Sequence, residues 1–343
     1  MKKSLIVLAS LAAFAGAASA QSNVTLFGIV DLSINQVKNG STTTKSMQNN
    51  QLSSNRLGFR GEEDLGGGLK AGFWLEAPMT NDNGNAAALN FTRRSTISLM
   101  GSFGEIRAGR DYNPQFWNLV FGDVNGANGI GQGLNLVSTL GSGATTLARS
   151  NSAVYYFLPG GLGGLTGHFG ISDETAAVGA ARSGNKHTSA RFTYTQGPAQ
   201  LGIAFGRTDV AKKAGYTADT YGLFNLMANY DFGAAKIYSW YNRNTFDPAK
   251  QTAYEVSAGV PMGAGEFRVS MGKQETTGDA TQNGSSTLFG TGYVHNLSKR
   301  TMIYGGYARI NNSGKSGVKI ISTDGSAVNT TSSGFNVGLR HAF

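Results

Sequence analysis

The segment RLGFRGEEDLGGGLKAGFWLE, residues 56–76, is the stretch that decides the fold. It holds two runs in which apolar and polar residues alternate, separated by the short connection Asp64–Gly68. Because successive side chains of a β-strand point to opposite faces, Leu57 and Phe59 share one face and their neighbours share the other. The glycines of the connection adopt positive φ at little cost, as a tight turn requires. The segment therefore predicts an antiparallel hairpin with one apolar and one polar face.

The same alternation runs through almost the whole chain, and helical periodicity is hard to find. We count sixteen alternating runs, and their connections are short and long in strict alternation. The runs cover 23–36, 51–62, 69–79, 90–100, 104–112, 147–158, 164–172, 187–196, 199–207, 219–231, 234–244, 252–261, 265–274, 286–296, 300–310 and 333–343. The long connections are 37–50, 80–89, 113–146, 173–186, 208–218, 245–251, 275–285 and 311–332. This pattern predicts an all-β fold, a 16-stranded antiparallel transmembrane β-barrel.

Closure of the barrel has a physical reason. In lipid every backbone donor and acceptor must be paired, and a closed sheet has no unpaired edge. We therefore expect the last strand to pair with the first, with both termini on the short-turn, periplasmic side. Sixteen strands leave a lumen wide enough for water, so a polar inner wall predicts an aqueous channel.

The first 20 residues form a separate segment. Lys2 and Lys3 precede an apolar run that ends in Ala18-Ser19-Ala20, a pattern typical of a cleaved Sec signal peptide. We expect residues 21–343 to be one exported transmembrane barrel domain in the cell outer membrane. The chain has no cysteine, which excludes a disulfide framework, and export makes nucleic acid an unsuitable partner despite the net charge of +9.

Four segments carry a resemblance to a known family. They are VTLFGIVDL (24–32), the hairpin 56–76, SLMGSFGEIRAGRDY (98–112) and GLRHAF (338–343). With them the chain resembles the general diffusion porins of Gram-negative bacteria, most closely the β-proteobacterial branch and its anion-selective members. The resemblance implies a homotrimer in outer-membrane lipid and lipopolysaccharide. It also implies that Phe343 is the terminal assembly signal read by the barrel-assembly machinery.

The longest connection, residues 113–146, is expected to be functional. The resemblance implies that this third long loop folds into the barrel and forms the constriction. Its many apolar side chains independently predict that one side packs against the inner wall. Asp123 is its single charged residue.

The resemblance places a basic cluster of Arg56, Arg93 and Arg149 on the wall opposite this loop. Alternation independently puts Arg56 and Arg149 on the inner face, and Glu76 beside them as a balancing acid. Further charges considered for the lumen are Arg94, Arg60, Glu62, Glu76 and Asp123.

Arg93 and Arg94 present a conflict, because they are adjacent in the predicted strand NFTRRSTISLMG, residues 90–101. Alternation places Arg94 inside and Arg93 outside, whereas the resemblance places Arg93 at the constriction. We expect Arg93 to line the pore, with Arg94 as an interface or rim cation.

Aromatic residues near strand ends are expected at the membrane interfaces, where barrels carry aromatic girdles. Those in question are Tyr230, Phe232, Tyr238, Trp240 and Phe343.

These features predict passive diffusion of small hydrophilic solutes and ions, with anionic solutes preferred because basic groups lining a pore repel cations. No cofactor or metal site is expected. An enzyme is disfavoured because the four histidines are scattered, with no recognisable catalytic or metal-ligand spacing; they are His168, His187, His295 and His341. A solute-specific porin and an adhesin or purely structural barrel stay open as alternatives.

Overall fold

Antiparallel strands form nearly all of the computed structural model, which describes residues 23–84, 89–174, 185–210 and 219–343. The strands in these ranges are β1 Asn23–Asn39, β2 Thr42–Asn49, β3 Arg56–Gly66, β4 Leu69–Pro78, β5 Arg94–Gly101, β6 Gly104–Tyr112, β7 Arg149–Phe157, β8 Leu165–Glu174, β9 Asn185–Gln196, β10 Ala199–Asp209, β11 Thr220–Asp231, β12 Lys236–Phe246, β13 Ala249–Met262, β14 Gly265–Thr277, β15 Gly284–Asn296, β16 Thr301–Gly314 and β17 Thr331–Ala342. A helix α1, Pro114–Phe121, and a 3-10 helix, Gly133–Leu136, lie between β6 and β7. The predicted signal peptide, residues 1–20, lies outside the described residues.

Each strand pairs with its chain neighbours, and β1 pairs with β17 from Ile29–Ala342 to Asn39–Ser332, which closes the sheet. The strand β2 pairs with one half of β1, residues 32–39, and β3 pairs with the other half, residues 23–29. Together β2 and β3 therefore act as one wall strand that is interrupted at residues 50–55. The wall is a closed barrel of sixteen antiparallel strands, which confirms the predicted fold.

The two faces of the wall differ in polarity in the direction that a membrane requires. On β1, Ile34 is 69% exposed, whereas Asp31 and Ser33 on the opposite face are buried. Large exposed apolar side chains recur on the outer faces of the other strands, where lipid replaces water as the solvent. Among the described residues, no helix is both long enough and apolar enough to cross a bilayer.

An apolar core lies inside the barrel, between the wall and the segment 113–148, which we call the inner loop. Pro114 starts α1, where a missing backbone N–H costs nothing. Leu119 and Leu136 of the inner loop are each 1% exposed and belong to one cluster with Trp240 of β12. Burial of these side chains holds the loop inside the barrel, as its apolar content predicts.

The outer ends of β12 and β13 also pack against the inner loop, and here one prediction is wrong. The expected long connection 245–251 is only the turn Asp247–Pro248, because both strands continue past the predicted ends. Phe246 and Ala249 at these ends are fully buried with Leu140 of the inner loop. The apolar inward side chains extend the strands because the loop gives them something to pack on.

The last long connection contributes to the same packing. Ile320 is 1% exposed and lies in the cluster that contains Leu136 of the inner loop. Its carbonyl accepts a hydrogen bond from the Asn135 side chain at 3.1 Å. The connection after β16 therefore covers part of the inner loop.

The predicted interfacial location is wrong for two of the aromatic residues. Trp240 is 3% exposed and donates from Nε1 to Glu255 Oε2 at 3.1 Å, inside the barrel. Tyr238 has the same strand parity as Trp240 and therefore faces inward too. Tyr230 and Phe232, by contrast, are 42% and 65% exposed and contact each other.

Candidate functional site

The wall strands divide into two groups around the lumen. The helix α1 packs on β8–β12 and the 3-10 helix packs on β13–β15. The remaining part of the wall includes β3–β7, whose strands of 8 to 11 residues are shorter than the 13 to 14 residues of β13–β16. Polar side chains on this shorter part of the wall form the candidate site.

Glu76 is the centre of the site. Its Oε1 lies 2.6 Å from Arg93 Nε and 3.3 Å from Arg56 Nη1. Its Oε2 accepts a hydrogen bond from Trp74 Nε1 at 3.3 Å. The Glu76 side chain is 6% exposed, so the two ion pairs are screened little by solvent.

Tyr112 connects this ion pair network to Arg149 and to the inner loop. Its hydroxyl accepts a hydrogen bond from Arg93 Nη2 at 3.1 Å, and the Arg149 guanidinium carbon lies 3.9 Å from its ring centroid. Arg149 Nε also donates to the carbonyl of Arg93 at 2.8 Å. The ring of Tyr112 stacks on Phe116 of α1 at 5.2 Å. The structure thus brings Arg56, Arg93 and Arg149 together around one carboxylate and one phenol.

Arg93 and Arg94 both direct their side chains to the inner side. Arg94 is the first residue of β5, and its parity is that of its inward partner Glu76. Arg93 precedes the strand, in a bend where alternation does not apply, and its backbone N–H donates to the Glu76 carbonyl at 3.1 Å. The assignment of Arg94 to an interface or rim is therefore wrong.

A second group of charges surrounds Trp74 and extends toward the short turns. The Arg94 guanidinium carbon is 4.4 Å from the Trp74 ring centroid, and Arg94 Nε is 3.4 Å from Asp111 Oδ2. The Arg60 guanidinium carbon is 5.2 Å from the same ring. Arg107 bonds Glu105 and Asp111 on β6. Glu105 and Arg107 were not predicted, although alternation along GEIRAGRDY places both on one face.

Glu62 faces the same side as Arg60 but is solvated. Its side chain is 64% exposed, and its nearest cation is Lys70, with 3.9 Å between Oε2 and Nζ. Such an exposed pair contributes little to stability. Glu62 is therefore a solvent-exposed acid of the short-turn mouth.

Asp123 does not face the open lumen, contrary to its inclusion among the lumenal charges. It is 3% exposed, and its carboxylate accepts the backbone N–H groups of Asn125, Ala127 and Gly133 within the inner loop. Burial raises the pKa of the Asp123 carboxyl, and these hydrogen bonds oppose that shift. The carboxylate is used to shape the loop.

Side-chain amides attach α1 to the wall. Asn118 Nδ2 donates to Asn225 Oδ1 at 2.9 Å, and Asn225 Nδ2 donates to the Gln115 carbonyl at 2.9 Å. Arg191 Nε donates to Asn118 Oδ1 at 2.6 Å. Because these partners are buried, moving the loop away would leave polar groups without hydrogen bonds. The free-energy cost of such unpaired groups keeps the loop in place.

Phe343 lies at the barrel closure rather than in the site. Its backbone N–H donates to the Gly28 carbonyl at 3.1 Å, and the Gly28 N–H donates back at 3.0 Å. Its ring covers Gly28 so closely that a side chain there would collide with it. The C-terminal residue therefore completes the pairing of β1 with the last strand.

Among the described residues, no group of three or more metal-ligating side chains is close enough to hold a metal ion. A profile of Gram-negative porins matches residues 7–315 of the chain. This chain belongs to the Gram-negative porin family. Porins are channel proteins of the outer membrane and not enzymes, so passive diffusion of small solutes is its activity.

Individual porins show the same relationship. The chain is 39% identical over 360 aligned positions to outer membrane porin protein 32 of Delftia acidovorans, with 100% of each chain covered. It is 28% identical over 378 positions to major outer membrane protein P.IB of Neisseria meningitidis, again with 100% of each covered. Both are outer-membrane proteins, as this porin is.

Solved structures agree with the fold. The anion-selective porin from Comamonas acidovorans has a TM-score of 0.84 and 34% sequence identity, covering 94% of this chain and 100% of that chain. OmpT of Vibrio cholerae has a TM-score of 0.69 at 14% identity, covers 94% and 98% respectively, and shares the fold alone. The resemblance to the β-proteobacterial porins is confirmed.

Replacing the shared acid tests the electrostatics of the site. We expect Glu76→Gln to raise the anion-to-cation permeability ratio about two- to fivefold, because one negative charge leaves the neighbourhood of three arginines. We also expect a lower melting temperature, since Arg56 and Arg93 lose a buried ion-pair partner. Reversal potentials and thermal unfolding measure the two effects.

Glu62→Gln is the matched control, because it removes an exposed acid from the same wall. Its effect on the permeability ratio should be less than half as large. A ratio that falls in Glu76→Gln would contradict the expected role of this carboxylate.

Proposed function

We propose that this porin prefers anions, and that Arg56, Arg93 and Arg149 produce the preference. The observation that supports the proposal is the charge balance of the site: three guanidinium groups lie together beside one carboxylate. Glu76 pairs with Arg56 and Arg93, and Arg149 donates to the Arg93 carbonyl. Their net positive charge lies on the part of the wall formed by β3–β7, which α1 reaches through the contact of Phe116 with Tyr112.

The inner loop does not offset this charge. Its one acid, Asp123, is buried and bonded to backbone N–H groups of its own loop. A passing cation therefore meets arginines on one side and an uncharged loop surface on the other. The electrostatic free energy of an anion in this passage is lower than that of a cation.

The magnitude is set by distance and screening. An anion about 6–8 Å from one arginine gains roughly 2–3 kcal/mol at an effective dielectric of 20. Water and salt in the lumen reduce this several-fold, because the Debye length is only about 8 Å at physiological ionic strength. Three arginines then suffice for a clear but moderate selectivity. The 34% identical anion-selective porin from Comamonas acidovorans supports the same function here.

The reversal potential of the purified protein in a planar bilayer tests the proposal directly. Under a KCl gradient, we expect the sign that corresponds to chloride carrying most of the current. The preference should weaken as salt rises, because screening shortens the reach of the arginine charges. A reversal potential of the cation-selective sign would overturn the proposal.

We further propose that the working form is a homotrimer in outer-membrane lipid and lipopolysaccharide, inserted by the barrel-assembly machinery with Phe343 as the assembly signal. The resemblance to general diffusion porins supports this proposal. Cross-linking of the native purified protein should give a band of three chains. Protein that is heated before cross-linking should give single chains.

Deletion of Phe343 should reduce the amount of porin inserted in the outer membrane several-fold. The single-channel conductance of the molecules that do insert should be unchanged, because Phe343 lies at the barrel closure and its ring packs on Gly28. Quantified outer-membrane protein and bilayer recordings separate the two effects. Normal insertion of the truncated chain would contradict an assembly role.

A further inference from the structure

We propose that the short-turn side of the lumen contains a second binding site, for small oxyanions, built around Trp74 by Arg60, Arg94 and Arg107. This site deepens the proposed anion preference by naming a class of anion that binds in the lumen. It rests on the proposal that anions are the ions preferred by this pore. It adjoins the cluster at Glu76, because Trp74 Nε1 donates to Glu76 Oε2 at 3.3 Å, and it extends from there toward the periplasmic mouth.

Position along β3 separates Arg60 from Arg56 of the first cluster. Arg60 follows Arg56 by four residues on β3, and a strand rises about 3.3 Å per residue, so their backbones are about 13 Å apart along the strand. The direction of β3 places Arg60 closer to the turn 64–68. A recess of 480 Å³ lies here, lined by residues of β1 and β3–β6.

Trp74 holds two guanidinium groups at the recess. The guanidinium carbon of Arg94 lies 4.4 Å from the ring centroid, and that of Arg60 lies 5.2 Å from it. Arg60 is also 5.6 Å from the ring of Phe27, which itself contacts Trp74 edge-on at 5.2 Å. Cation–π contact positions the Arg60 guanidinium without using its N–H donors, so these donors stay available to a ligand. Arg94 Nε, by contrast, already donates to Thr96 Oγ1 at 3.0 Å.

The charges around the recess leave Arg60 without a firm partner. Arg107 binds Glu105 at 2.8 Å and Asp111 at 2.7 Å, and Arg94 is 3.4 Å from Asp111. These two arginines are therefore balanced by two acids. The remaining acid at the recess, Glu62, is 64% exposed and lies 3.9 Å from Lys70.

Arg60 makes no ion pair with any described residue, and its side chain is exposed to the lumen. A carboxylate or phosphate oxygen edge matches the fork of a guanidinium, whereas a spherical chloride ion does not. The Ser98 hydroxyl, which donates to Glu105 Oε1 at 2.6 Å, belongs to the same recess wall. These features favour small carboxylates and phosphate as ligands over chloride.

Block of single-channel chloride current tests the site. Succinate and inorganic phosphate are added in turn to each side of a bilayer that holds the purified porin. The chain has no cysteine, so Ser322→Cys with a membrane-impermeant thiol reagent identifies the extracellular side. We expect a lower blocking concentration when the anion is added from the periplasmic side. Comparison of succinate with phosphate shows which of the two, carboxylate or phosphate, the site binds more tightly.

Arg60→Gln should raise the periplasmic blocking concentration about fivefold, the loss expected for one charge-assisted hydrogen bond. Arg60→Lys should recover only part of the affinity, because it restores the charge but not the fork. Lys299→Gln makes the same charge change in an exposed periplasmic turn and should leave block unchanged. Unchanged block in Arg60→Gln, or equal loss in Lys299→Gln, would overturn the proposed site.

Arg149→Ala distinguishes this proposal from the general anion preference. Arg149→Ala should change the reversal potential. In the Arg149→Ala background, Arg60→Gln should still raise the blocking concentration from the periplasmic side. If the reversal potential of the wild type shows no anion preference but block still requires Arg60, the proposed selectivity fails and the oxyanion site stands.

Discussion

Replacement of Arg93 or Arg149 by alanine should lower the anion-to-cation permeability ratio about two- to fivefold, and the triple replacement with Arg56 should abolish the preference. Each arginine supplies roughly 2–3 kcal/mol to a nearby anion before screening, of which a fraction remains in salt solution. Because the three charges act on the same short passage, their losses should accumulate. Reversal potentials in a KCl gradient measure each step.

The single variants should differ in a second property. Arg93 donates to Glu76 at 2.6 Å and to Tyr112 at 3.1 Å, so Arg93→Ala leaves a buried carboxylate with one cation fewer. Arg149 contacts the Tyr112 ring and the Arg93 carbonyl, and it pairs with no acid among the described residues. Arg93→Ala should therefore lower the melting temperature more than Arg149→Ala does.

Arg309→Ala is the matched control for these variants. Arg309 lies on β16 with the outward parity and bonds Asn311 at 2.9 Å on the exposed side. It removes one positive charge without touching the lumen. If Arg309→Ala changed the ratio as much as Arg149→Ala, the selectivity would arise from overall charge and not from the cluster.

Replacement of Gly133 by alanine should displace the inner loop and change the single-channel conductance by about twofold, with a loss of roughly 1–3 kcal/mol in stability. A β-carbon at this position would lie 1.5 Å from Glu255 Oε2 and 2.7 Å from the Trp240 ring. Glu255 is fully buried and bonded to Trp240, so its side chain has nowhere to move. The loop backbone must move instead.

Gly131→Ala provides a control two residues away in the same loop. A β-carbon there would meet its nearest atoms at 3.5 Å, an ordinary contact distance. Conductance and melting temperature should therefore stay close to the wild type. Equal effects of the two substitutions would show that the loop position does not depend on the contact with Glu255. Conductance and open-channel noise, recorded at one salt concentration, are the measurements.

Alternation along the chain predicted most of the wall and the inward direction of Arg56, Arg60, Glu62 and Glu76. It was sufficient because a strand has a period of two, and a membrane barrel sorts its faces between lipid and water. The conflict over Arg93 and Arg94 shows where such reasoning ends. The strand begins only at Arg94, and the preceding bend turns Arg93 to the same side.

Contacts between segments far apart in the chain decided the features that sequence reasoning missed. Trp240 is an aromatic residue of the type expected at a membrane interface, but it lies inside the barrel because the inner loop supplies an apolar partner there. Asp123 is a charged residue in a loop expected to line the lumen, but it is buried because backbone N–H groups of its own loop donate to its carboxylate. The short turn between β12 and β13 depends on the same loop packing, which keeps Phe246 buried.

The sequence by itself therefore determined the barrel, its inside and outside, and the residue types available to an anion. A local period of two carries that information, and each strand expresses it without reference to its neighbours. Only the tertiary structure decided how the arginines share their acids. Arg56 and Arg93 meet at Glu76, whereas Arg60 contacts aromatic rings and no acid in the part of the chain that the structure describes. The register of β3 with β4 and the bend before β5 set which charges come within contact.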